Sequence, residues 1–245
     1  MRTLTATQVL EVWERAWPLS PLDRALTLWT AGSGRTDVAG QPIGVRERAM
    51  LALRHAMFGP AMEAVATCPS CQEPVEITAD VRDLAIGTLR EVIARAGGFE
   101  VTCRPPSIAE IAAAGQMAAL EGGGAADMTV LRDDLARRCV VRARRGGEEV
   151  DPQALPSKVL AAIDDALAEA DPSADIRFDL CCPSCDHAWE VPFDAGAYLW
   201  AELDAHARAL VADVHVLASS YGWSEGEILD LTPTRRRLYV EVASR

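Results

Sequence analysis

The sequence predicts an α+β fold that is mainly α-helical, with one small β element assembled from two distant segments. Three observations carry that prediction. First, C-P-S-C occurs twice, starting at Cys68 and at Cys182. The copies stay in frame over "CPSCQEPVEITAD" and "CPSCDHAWEVPFD", aligning Glu76 with Glu190 and Asp80 with Asp194. Second, apolar alternation surrounds them. Val75, Ile77 and Ala79 follow the first copy; Ile176, Phe178 and Leu180 precede the second, and Trp189, Val191 and Phe193 follow it. A period of two marks a half-buried strand. Third, most of the remaining chain carries helical spacing with recognisable caps. Two thiolates separated by two residues sit on one side of a tight turn, and Zn²⁺ takes four such ligands in a tetrahedron. The β element therefore reads as zinc-ribbon-like, its two CPxC knuckles split by a long insertion.

Thr5 with Gln8 three residues on is a capping box, after which Val9, Trp13 and Ala16 share a face. Ser20-Pro21 opens a second helix with Leu22, Leu26 and Trp29 as its apolar stripe. Residues 31–44, rich in Gly, Ser, Thr and Asp, read as a loop. A third helix starts near Val45, turns Met50, Leu53 and Met57 inward and runs towards the first cysteine pair. Residues 89–96 are ambiguous alone, but Gly97-Gly98 followed by alternating Phe99, Val101 and Cys103 predicts a hairpin, stopped by Pro105-Pro106. Ser107 and Glu110 form another capping box, opening a helix with Ile108, Ile111 and Met117. "EGGGAAD", from Glu121, reads as a flexible connection.

Leu131, Leu135 and Cys139 predict a helix ended by Gly146-Gly147, with Arg132, Arg137, Arg138, Arg142, Arg144 and Arg145 outside. Val159, Ile163 and Leu167 place another helix over 156–170. Leu203, Ala207, Leu210, Val214, Leu217 and Tyr221 step by three and four, predicting one long helix ended by Gly222. That stripe fits the protein's own core or a partner helix. Ser224 and Glu227 form a third box, with Trp223 placed to staple onto Ile228. Thr232-Pro233 opens a last helix with Leu238, Tyr239 and Val242.

A formal net charge of −12 argues against a protein whose main work is coating nucleic acid, because that affinity comes from Lys and Arg. The arginines of 132–145 read as a polyanion patch or as a solvated helix face beside acidic neighbours. Arg235-Arg236-Arg237 reads as phosphate contacts or as cations near a helix C-terminus, where they oppose the dipole. No run approaches the roughly 18 apolar residues of a membrane span, and the first residues lack a secretory apolar region. A soluble, cytoplasmic protein without membrane insertion is expected.

Seven cysteines in a chain of this length do not make a disulfide framework; paired CxxC points to metal or redox chemistry. The main reading is one structural Zn²⁺ shared by Cys68, Cys71, Cys182 and Cys185. A redox pair is the alternative, although such motifs usually open a helix rather than a strand. A metal-free remnant, or separate sites completed by Cys181 or His187, are further readings. Cys103 and Cys139 fall on apolar stripes and read as buried small hydrophobes. Four thiolates leave no open position for a catalytic water. None of His55, His187, His206 and His215 forms a metalloprotease pair, and there is no P-loop, Rossmann glycine pattern or nucleophile elbow. No catalytic residue is expected. Glu76 and Glu190 read as structural, and Asp80 and Asp194 as caps.

Several stretches carry a family resemblance: "QPIGVRERAMLALR", "FGPAMEAVATCPSC", "CRPPSIAEIAAA", "CCPSCDHAWEVPFDAGAYLWAEL" and "YGWSEGEILDLTPTRRRLYVEV". In order and spacing the chain resembles, from about Gln41 to Val242, baseplate hub assembly chaperones of the T-even phage type. Such proteins are encoded in tail clusters of contractile phages and of contractile injection systems. The resemblance implies a non-enzymatic assembly chaperone or minor structural component of a baseplate, with other baseplate or tail proteins as partners. It places the chain in the cytoplasm or in an assembled particle, and carries over the four cysteines as metal ligands. The competing function is a zinc-ribbon regulator that binds nucleic acid through its arginines. The expected organisation is N-terminal helices over 1–67, a split ribbon over 68–80 and 176–194, a mixed insertion over 81–175 and C-terminal helices over 195–245.

Overall fold

Capping chemistry sets the helix starts. Thr5 accepts from the Gln8 N–H while Gln8 Oε1 accepts from the Thr5 N–H, so α1 (Ala6–Ala16) begins with these two donors bonded by its capping box. Ser20 and Pro21 open α2 (Pro21–Ser33), and α3 covers Ile43–Phe58. β1 (Ala61–Thr67) and β2 (Pro74–Asp80) flank the first CPSC, followed by the short α4 (Val81–Leu84). Then come β3 (Val92–Ala96), β4 (Phe99–Cys103), α5 (Ile108–Leu120), α6 (Ala125–Arg138), β5 (Val140–Arg145), β6 (Glu148–Glu149) and α7 (Ser157–Ala170). β7 (Arg177–Cys181) and β8 (Ala188–Pro192) flank the second CPSC. α8 (Ala195–Tyr221), α9 (Glu225–Leu229) and α10 (Pro233–Ala243) complete the order. The computed structural model describes residues 1–84, 91–120 and 125–244. The glycines of the expected 121–127 connection lie outside the described residues, and α6 already begins at Ala125.

The fold is α+β and mainly helical, with the small split β element that the cysteine repeat predicts. No helix among the described residues is long and apolar enough to cross a membrane. The chain divides into two compact units, Met1–Thr36 with Ala49–Pro60 and Asp194–Arg245, and Asp37–Arg48 with Ala61–Phe193.

The first unit is built on α8. Leu199, Leu203, Ala207, Leu210 and Leu217 are buried, and α8 packs against α1, α2, α9 and α10. Its stripe thus serves the protein's own core; each buried Leu contributes about 1.5–3 kcal/mol. Asp194 caps α8 by accepting from the Ala197 N–H, and Gly222 ends it at φ 69°, where a Cβ would be strained. Inside this unit Arg54 grips Glu202 with Nε and Nη2 at 2.9 and 2.8 Å and gives Nη1 to the Gly59 carbonyl at 2.7 Å.

Two expectations shift here. α2 buries Ala25, Leu28, Trp29 and Gly32, whereas Leu22 and Leu26 are only half-buried. Its inward face is rotated towards small residues because Leu53 packs so close to Gly32 that a Cβ there would meet it at 2.8 Å. In α10 the three arginines lie in the first turns rather than near the C-terminus, so the dipole does not explain them. Arg236 is instead buried and paired with Asp213 at 3.1 Å, leaving Leu238 and Val242 exposed. Tyr239 closes edge-on against Trp223.

Among its described residues the second unit holds three antiparallel sheets: β1-β2, β7-β8 and the meander β3-β4-β5-β6. Its core gathers Phe99, Val101, Cys103 and Ala143 from the meander with Val159, Leu160 and Ile163 from α7. Gly97 and Gly98, at φ 58° and 80°, make the tight turn between β3 and β4. The helix expected up to Gly146-Gly147 stops at Arg138, and residues 140–145 form a strand. Val140 and Val141 are β-branched, and the glycine pair is a second hairpin turn, not a helix end. In strand form the arginines gain cross-strand partners: Arg144 lies opposite Glu100 and Glu149, and Arg145 opposite Glu148.

Glu110 joins the Ser107 cap to Arg104, whose guanidinium donates to both carboxylate oxygens at 2.9 and 2.6 Å. Against the effect of burial, Arg104 and the Ser107 N–H and hydroxyl hold the Glu110 carboxyl at about 2. A depressed carboxyl contributes stability above its unfolded value of 4.5 and loses it as pH falls through about 2. We expect Glu110→Gln to cost about 1–2 kcal/mol near neutral pH, solvent screening included. Chemical denaturation at several pH values should show the gap to wild type closing across that acid window. For the helical unit, we expect Glu202→Ala to cost about 3 kcal/mol by stranding the buried Arg54; an unchanged melting temperature would refute this.

Candidate metal centre

Each CPSC forms the tip of a hairpin. Thr67 pairs with Pro74 at the base of the first tip, and Cys181 pairs with Ala188 at the base of the second. The two turns repeat each other bond for bond. The Gln72 N–H donates to the Cys68 carbonyl and the Cys68 N–H to the Glu73 carbonyl, both at 2.9 Å. In the second tip the Asp186 N–H donates to the Cys182 carbonyl and the Cys182 N–H to the His187 carbonyl, again at 2.9 Å. Gln72 and Asp186, each directly after the second cysteine, have φ of 64° and 57°. Left-handed backbone at a non-glycine residue is strained, and its recurrence at matching positions shows that the turn demands it. This backbone folds both thiols of a pair to one side.

The tips meet. Cys68 Sγ lies 3.7 Å from Cys185 Sγ, Cys71 Sγ lies 3.5 Å from Cys182 Sγ, and all four sulfurs fall within 4.8 Å of one another. These separations are too long for disulfides, whose sulfurs bond at about 2.05 Å. A tetrahedral Zn²⁺ with Zn–S of about 2.3 Å needs sulfurs about 3.8 Å apart, so the donor set matches in type, number and spacing. Cys68 and Cys182 are buried, and Cys185 is exposed.

Protonation supports the fit. Burial works against a Cys68 thiolate, yet the N–H groups of Cys71 and Ser70 and the thiols of Cys71 and Cys185 outweigh it, bringing Cys68 down to about 7. The Glu73 backbone favours a Cys71 thiolate, but burial and the neighbouring Cys182, Cys185 and Cys68 sulfurs push Cys71 up to about 12. One thiolate forms readily and opposes the next. A divalent cation removes that opposition, because it neutralises charge that the protein's hydrogen bonds cannot.

Among the described residues the cluster comprises these four cysteines and takes in none of the other candidates. Cys181 is exposed, and the His187 ring stacks near Trp189. Cys103 and Cys139 are buried thiols pushed up by burial to about 11 and 12. Glu190 forms a 3.2 Å pair with Arg177 across its hairpin, while Glu76 lies opposite Val65. Asp80 accepts from the Arg82 N–H at 2.9 Å. Among the arginines, Arg132 pairs with Asp164, Arg138 with Asp134 and Arg142 with Glu149, and Arg145 covers the Phe99 ring. β1 escapes sequence reading: in "AMEAVAT" Met62 is buried and Val65 exposed, so apolar residues fall on both faces. The repeat itself was the available signal, since a strand predicted before Cys182 implies one before Cys68.

Residues 30–195, more than half of the chain, match the family described as T4 bacteriophage base plate protein. Searches of curated proteins and of solved structures return no match. The matched span contains both knuckles and the whole insertion between them. The chain therefore belongs to the T4 bacteriophage base plate protein family, with a structural or assembly role and not an enzymatic one.

Proposed function

We propose that this chain is an assembly chaperone or minor structural component of the baseplate of a contractile phage tail or injection system, held in shape by a structural Zn²⁺ on Cys68, Cys71, Cys182 and Cys185. The observation that carries the metal assignment is the closed set of four sulfurs within 4.8 Å. When bound, the ion supplies positive charge and four bonds, with no coordination position left for water or substrate. The protein's own residues do the rest. The left-handed Gln72 and Asp186 aim the thiols, the two hairpins carry them, and the insertion keeps its own core. In this reading the split ribbon of 68–80 and 176–194, extended by β1, encloses the insertion of 81–175 in the sequence, with helices preceding and following it. Partners are other baseplate or tail proteins in the cytoplasm or in the particle. Nucleic acid is not a proposed partner, since several of the arginines offered for it already face carboxylates.

X-ray absorption at the zinc edge should show four sulfur neighbours and one ion per chain. We expect Cys68→Ser and Cys182→Ser each to lose the ion and to lower the melting temperature by several degrees, because structural zinc binding is coupled to folding. Full zinc content in either variant would refute the shared site. Mass spectrometry of purified particles separates the two roles. A fixed stoichiometry identifies a component, and absence together with failed baseplates on gene deletion identifies a chaperone.

A further inference from the structure

The helical unit contains a cavity of about 660 Å³, within the range of about 300–1,000 Å³ typical of ligand sites. Its walls are largely apolar, with Leu4, Met57, Phe58 and Leu229 among them. Two helix starts border it. Thr5, Ala6 and Thr7 bring the N-terminus of the eleven-residue α1, and Pro233 brings that of the eleven-residue α10. Neither helix has an acidic residue in its first turn. The first N–H groups of a helix have no carbonyl to bond within it and carry partial positive charge.

A second observation is independent of the helix ends. Arg236, 4% exposed, lines the same cavity. Its Nε is committed to Asp213 at 3.1 Å, but its buried Nη1 has no hydrogen-bond partner. A buried guanidinium nitrogen without an acceptor is destabilising, and a bound anion would supply the acceptor. His206 also lines the cavity, and burial, with the Arg236 charge, lowers its pKa against the opposing pull of Asp213. Asp230, the acid in the lining, is exposed.

We infer that this cavity takes the C-terminal carboxylate of an apolar peptide from a partner protein, with Arg236 and the α1 and α10 N-termini receiving the carboxylate. The apolar walls receive the side chains that precede it, which a bare inorganic anion would leave unfilled. Arginine presents a fork matched to carboxylate geometry, and helix N-termini favour anions. The site lies in the helical unit and uses none of the four clustered thiols, so it stands whether or not zinc binds.

The test uses the whole zinc-loaded chain and a pool of acetylated apolar tripeptides with free C-termini. In NMR titrations we expect saturable shifts of the His206 imidazole and of the Ala6 and Thr7 amides at millimolar pool. The same pool with amidated C-termini should leave them in place. Thr7→Asp supplies a tethered carboxylate at the α1 N-terminus; it should raise the melting temperature and weaken binding at least tenfold. Arg236→Lys should abolish binding; Thr7→Asp keeps the test decisive if that variant unfolds. Equal shifts from acid and amide pools, no shift from either, or the same shifts from inorganic phosphate alone would each overturn the assignment.

Discussion

Four sulfurs must converge from cysteines 111 and 117 positions apart in the chain, and the arrangement of the ribbon unit follows from that requirement. Each hairpin contributes two thiols that cannot close a tetrahedral shell alone. Closing a long flexible loop costs entropy that grows only slowly with its length. The segment between the hairpins is, moreover, not a flexible loop. It folds on its own meander and on α7, around Phe99, Val101, Leu160 and Ile163. The cysteine cluster therefore joins hairpins to a segment that has packing of its own.

The helical unit obeys a different constraint. Its core is a stripe on α8 covered by four other helices, and the polar groups it buries are tied down. Arg54 donates to both Glu202 oxygens and to the Gly59 carbonyl, and Trp13 donates its indole N–H to Asp204 at 2.7 Å. Arg208 bridges the same carboxylate and lies over the Trp17 ring. Buried or half-buried charges in this unit thus have bonds that fix direction as well as neutrality. Arg236 departs from that pattern because only part of its guanidinium is matched by protein.

What could be read in the sequence was local or repeated. Capping boxes at Thr5, Ser107 and Ser224 act within four residues, and each forms as its residues predict. The cysteine repeat conveyed a long-range contact because it occurs twice in the same frame. Residues 140–145 failed because valine and arginine suit helix and strand alike at the level of spacing; pairing with Glu100, Glu148 and Glu149 decides the matter. The left-handed Gln72 carries no sequence signal, since the residue types that mark such backbone are glycine, asparagine and aspartate; Asp186 holds one of them. The cavity beside Arg236 was equally hidden, because its walls come from four separate stretches of chain.

The separation of the two thiol pairs has a consequence for synthesis. At translation rates of about 5–20 residues per second, the 111 positions between Cys71 and Cys182 take roughly 6–22 s to make. Throughout that interval the first hairpin offers two sulfurs and no complete site. If the four thiols hold zinc as proposed, its capture is a late event in synthesis, and a truncated or stalled chain ending before Cys182 lacks two of the four sulfurs. On the proposed zinc assignment, the metal would act as a receipt for synthesis of the ribbon and everything it encloses.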